Sequence, residues 1–90
     1  MKHFPYDFII RHFECQGIQY KVAITPELVP EEDGLDFTGI WCVCMISERR
    51  GSLFFTMEPD AHSKWDLSDK SVGFDVIDEL DRIITDVKGN

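Results

Sequence analysis

The sequence predicts an α+β fold: a four-stranded antiparallel sheet built from two hairpins, followed by one C-terminal amphipathic helix packed on one sheet face (ββββα). Three observations predict it. Val76, Ile77, Leu80, Ile83, Ile84 and Val87 recur at the spacing of one helical face. Residues 18–25 alternate apolar and polar side chains with the period of a strand. Gly-containing turns separate runs rich in aromatic and β-branched residues.

The first strand is expected at residues 6–15, and Gln16-Gly17 supplies a turn because Gly accepts the positive φ of a tight hairpin. In the second strand, residues 18–25, Ile18, Tyr20, Val22 and Ile24 share one face. Pro26 and Pro30 lack a donor N–H and end that ladder. Residues 26–38 carry Glu27, Glu31, Glu32, Asp33 and Asp36 with no base, and read as a long acidic loop.

A third strand at 39–47 is apolar on both sides, with Ile40, Cys42, Cys44 and Ile46 opposite Trp41, Val43 and Met45. Glu48-Arg49-Arg50-Gly51 reads as a four-residue hairpin loop. The fourth strand, 52–57, sets Leu53, Phe55 and Met57 opposite Phe54, and Pro59 closes it. Residues 58–70 read as a second loop with Trp65 and Leu67 folded back as a plug. The helix spans 71–88, with Asp69 or Ser71 as N-cap, Gly89 as the terminating glycine and an Asp78–Arg82 pair on its outer side.

Ninety residues make one domain, 1–90. Four strands span about 14 Å between outer axes, and one helix is about 10–12 Å across. The helix covers one sheet face and leaves the other. Ile9, Phe13, Trp41, Val43 and Met45 are the candidates for the uncovered face, and a homodimer is the simplest way to bury them.

The net charge of -8 puts non-specific binding to phosphate backbones at a disadvantage and favours a basic protein partner. Glu31, Glu32, Asp33, Asp36, Asp75, Asp78, Glu79 and Asp86 are the candidate partner-binding acids. Three cysteines, an odd number, argue against a disulfide framework. With no apolar leader and no long apolar run, the chain reads as a cytoplasmic protein with no membrane contact.

The chemistry-bearing motifs are sparse. Cys42-Val43-Cys44 points two thiols the same way but lacks the second pair that zinc requires. Asp60-Ala61-His62-Ser63 puts an acid, a base and a hydroxyl in one loop, without a nucleophile motif around them. The acidic loop lacks calcium-loop spacing. No phosphate loop or H-E-x-x-H is present. No catalytic residue, metal or cofactor is therefore expected, and the chain reads as a non-enzymatic interaction or regulatory protein, self-associating or masking a basic partner in the manner of an inhibitor or antitoxin.

The alternative is a single-stranded nucleic-acid module that stacks bases on Phe8, Phe13, Tyr20, Trp41, Phe54 and Phe55 and uses Arg11, Lys21, Arg49 and Arg50. The element order ββββα is similar to that of single-strand-binding transcription coactivators, which dimerise. The basic strands and loops of that family are absent here, so DNA binding is not carried over.

Overall fold

The computed structural model describes residues 9–62 and 64–88, with the backbone alone at Lys88. Its elements are β1 (Ile9–Cys15), β2 (Ile18–Glu31), β3 (Gly34–Ser47), β4 (Gly51–Pro59), β5 (Trp65–Leu67) and α1 (Phe74–Lys88). The strands form one antiparallel meander in the order β1-β2-β3-β4-β5. The expected α+β architecture is present, with the short β5 added to the four strands predicted. Residues 6–8, Ser63 and Gly89, each part of an expected element, lie outside the described residues.

Turn chemistry sets the register. Gln16 (φ 52°) and Gly17 (φ 77°) both have positive φ, the mirror-image turn whose twist matches that of its strands. Glu14 therefore faces Gln19, and Ile9 faces Ile24. Between β3 and β4, Ser47 pairs with Gly51, so the loop is three residues, Glu48 to Arg50, rather than four. Gly51 takes φ 66°, and the Ser47 hydroxyl accepts the Arg50 N–H at 3.1 Å.

Residues 26–38 depart most from expectation. They form a hairpin extension of β2 and β3, not a loop. Glu31 pairs with Gly34, leaving Glu32-Asp33 as a two-residue turn. Pro26 faces Trp41 while Leu28 faces Phe37, so β3 carries two extra residues in a bulge. Gly39 absorbs the bulge at φ 94°. Thr38 Oγ1 donates to the Glu27 carbonyl at 3.4 Å and accepts the Ile40 N–H at 3.2 Å. Among the described residues β1 pairs with β2 only as far as Ile24, so neither proline interrupts a described β1–β2 ladder.

Asp60 organises the connection to β5. Its N–H donates to the Lys64 carbonyl at 2.8 Å, and Oδ1 accepts the N–H groups of His62 at 2.8 Å and Lys64 at 2.9 Å. Trp65 and Leu67, read as a plug, instead pair with Pro59 and Met57 as a strand.

Helix α1 begins three residues later than expected. The Gly73 carbonyl accepts the Ile77 N–H at 3.0 Å, which makes Gly73 the N-cap. Asp69 and Ser71 bond to each other instead: Asp69 Oδ1 accepts from Ser71 N at 2.9 Å and from Ser71 Oγ at 2.6 Å. Arg82 pairs with Glu79 at 3.1 Å, one turn position away from the expected Asp78. The predicted stripe is the packed one: Val76, Leu80 and Ile84 are buried, and Ile77, Ile83 and Val87 pack against the core. It meets Val22, Ile24, Trp41, Val43 and Met57 on one sheet face.

Candidate functional site: the uncovered sheet face

The helix covers one face and leaves the other, as its width requires, but the two faces are the reverse of those expected. Ile9, Trp41, Val43 and Met45 are buried in the core, and Phe13 packs against it. The register is the cause. Val22 pairs with Met45, Ile24 with Val43 and also with Ile9, and Phe13 with Tyr20. Paired residues share a face, so Ile9, Phe13, Val43 and Met45 follow the Tyr20–Val22–Ile24 stripe under α1, and Trp41, two residues before Val43 on β3 and paired with buried Met57, lies on the same side.

The open face carries the intervening residues. Ile10 faces Ala23, Ala23 faces Cys44, and Cys44 faces Phe54, which makes one row across four strands. The row is bulky at its ends and small in its middle. Phe54 is 76% exposed and Ile10 47%. Ile46, also 47% exposed, stands in the neighbouring row with His12, Lys21 and Ser52. On the other side of Phe54 lies an apolar hollow lined by Thr25, Cys42, Cys44 and Thr56. Ser68 closes its edge, its hydroxyl accepting the Thr56 N–H at 2.9 Å.

The sequence named Cys42, Cys44, Ile46 and Phe54 as apolar side chains without assigning them to the outer face. Both sides of β3 are apolar, and periodicity alone does not distinguish them.

The candidate acids occupy two places. Glu31, Glu32, Asp33 and Asp36 stand at the tip of the β2–β3 ribbon, and Asp75, Asp78, Glu79 and Asp86 lie along α1. Asp75 accepts a hydrogen bond from the Gln16 side chain and Glu79 holds Arg82. No base occurs between Lys21 and Arg49, so the ribbon is uniformly anionic.

The three thiols are free. Burial, then the Glu27 carboxylate, raises the Cys42 thiol above its ordinary pKa. Desolvation, followed by the Asp75 and Glu79 carboxylates, does the same for Cys15. Both therefore stay protonated and poorly nucleophilic at neutral pH. Among the described residues no three His, Cys, Asp or Glu side chains converge as metal ligands. Asp60 is committed to its own loop, and His62 is exposed there.

The aromatics invoked for base stacking are elsewhere. Trp41, Tyr20 and Phe55 are buried in the core, and Phe13 stacks on Tyr20 with ring centroids 5.2 Å apart. Phe8 lies outside the described residues, which leaves Phe54 as the described aromatic on the open face. Arg50 is tied to Ser71. No described helix is long and apolar enough to cross a membrane.

No family model, curated protein or solved structure matches the chain. The likeness in element order to single-strand-binding coactivators is thus without a structural match, and function is argued from the surface itself.

Proposed function

We propose that this chain is a small non-enzymatic interaction module that associates with a second copy of itself through the uncovered sheet face, in a reduced cytoplasmic setting. The observation that carries the reading is Phe54. A phenyl ring exposed to 76% stands beside an apolar hollow on the same face. A knob and a hole on one surface are what a twofold contact requires, since each copy offers both. Rotating two such faces together sets each Phe54 in the hollow of its partner.

Magnitudes place this contact in the weak class. The apolar row is about 14 Å wide, and a stable interface takes about 800 Å² from each partner. The charge of -8 on each copy opposes association further. Dimerisation should therefore appear between micromolar and millimolar protein and strengthen with salt. Sedimentation velocity across that range tests it. The wild type should shift towards dimer as concentration and salt rise, and Phe54→Ser should stay monomeric while remaining folded. A wild type that stays monomeric, or a Phe54→Ser variant that dimerises equally, contradicts the reading.

A further inference from the structure

A second surface lies on the helix side of the sheet, away from Phe54. It is a groove of about 440 Å³ between the β4–β5 connection and the first turns of α1, within the size range of sites for small ligand groups. Its apolar walls are Trp65, Phe74 and Ile77, and its polar residues are Asp60, Asp78, Asp81 and Lys64.

Two features make it more than an acidic surface. The Trp65 indole is pinned: its Nε1–H donates to Asp81 Oδ1 at 2.5 Å, and its backbone pairs with Pro59. The ring face is therefore held in a fixed orientation. Phe74 opens the helix 85% exposed, the most exposed of the large apolar residues described. Core packing does not account for its presence.

The carboxylates set the sign of the occupant. Three face one ammonium, and Asp60 stays ionised because the backbone N–H groups of Lys64 and His62 lower its pKa. They are too dispersed to chelate, since no three acidic, His or Cys side chains among the described residues form a metal-holding group. Aromatic faces with dispersed carboxylates suit a flat, weakly hydrated cation, which stacks on the rings while its N–H groups reach several oxygens.

We infer that this groove binds the guanidinium of an arginine presented by a basic partner segment. The inference gives the acidic surface a specific anchor and does not depend on the Phe54 contact.

The test is an NMR titration with a short arginine-containing basic peptide, compared with the same peptide carrying lysine or citrulline instead. The Trp65 indole N–H signal should shift saturably with the arginine peptide, and salt should weaken binding. The Trp41 indole, buried in the core, should not move. Losing one cation–π partner in Phe74→Ala should weaken affinity about two- to fivefold, with Asp78→Asn lowering it similarly. Phe54→Ser should leave the titration unchanged, which separates this site from the dimer contact. Absence of a Trp65 shift at millimolar peptide, equal binding of the citrulline or lysine peptide, or wild-type affinity in Phe74→Ala would overturn it.

Discussion

Arg50 reaches from the tip of the β3–β4 hairpin to Ser71, twenty-one positions along the chain. Its Nη2 donates to Ser71 Oγ at 2.7 Å and its Nη1 to the Ser71 carbonyl at 3.3 Å. The same hydroxyl donates onward to Asp69. One guanidinium thus fastens the segment entering α1 to the sheet. Arg50→Ala should lower stability by no more than about 1 kcal/mol, because the contacts are exposed. Urea denaturation checks this, and Arg49→Ala, at a neighbour with no described bond to this segment, serves as the comparison.

Asp69 gives that fastening a pH dependence. Hydrogen bonds from Ser71 hold its carboxyl below the ordinary carboxylate range. A folded-state pKa below the unfolded value contributes stability that is present above about pH 3.9 and lost as pH falls through the folded value. The stability difference between wild type and Asp69→Asn should be constant near neutrality and vanish in strong acid. A difference that grows on acidification contradicts the assignment.

Leu80 and Ile84 are fully buried where α1 meets the sheet. Leu80→Ala should cost about 2–5 kcal/mol, a large share of the stability of a domain this size. Phe74→Ala, on the same helix but exposed, should change stability by less than about 0.5 kcal/mol. Chemical denaturation of the pair measures both.

Gly17 holds φ 77°, and a Cβ placed there meets nothing within 4 Å. The cost of Gly17→Ala is therefore purely conformational, about 1 kcal/mol. Thermal unfolding should show a modest drop with the fold retained. A larger loss would mean that the turn is packed rather than open.

The helix stripe and the Gln16-Gly17 turn were legible because each depends on local chemistry. The assignment of Ile9, Phe13, Trp41, Val43 and Met45 to the uncovered face was wrong, although for Ile9 and Phe13 the turn itself already argued against it. With Gln16-Gly17 as a two-residue turn, Ile9 must oppose Ile24 and Phe13 must oppose Tyr20. Both therefore join the core stripe.

For β3, the key was a turn at Glu32-Asp33, followed by Gly34 at φ 128°, set in an acidic run that resembles a loop. Once Glu32-Asp33 is the turn, even-numbered residues of β2 face odd-numbered residues of β3. The two-residue bulge at Gly39 preserves that parity. Trp41, Val43 and Met45 then lie under the helix. The prolines hid this, since Pro26 and Pro30 normally argue against a strand interior. β5 was not legible, because three residues carry too little periodicity to stand out.

The central claim is that the Ile10–Ala23–Cys44–Phe54 row is where two copies meet. The most direct measurement is a dilution series of amide NMR spectra from millimolar to micromolar protein. Shifts should concentrate at Ile10, Ala23, Cys44, Phe54 and Thr56 and follow a single dimerisation curve, with Asp78 and Asp81 on α1 unaffected. Spectra independent of concentration, or shifts concentrated on α1, would contradict it.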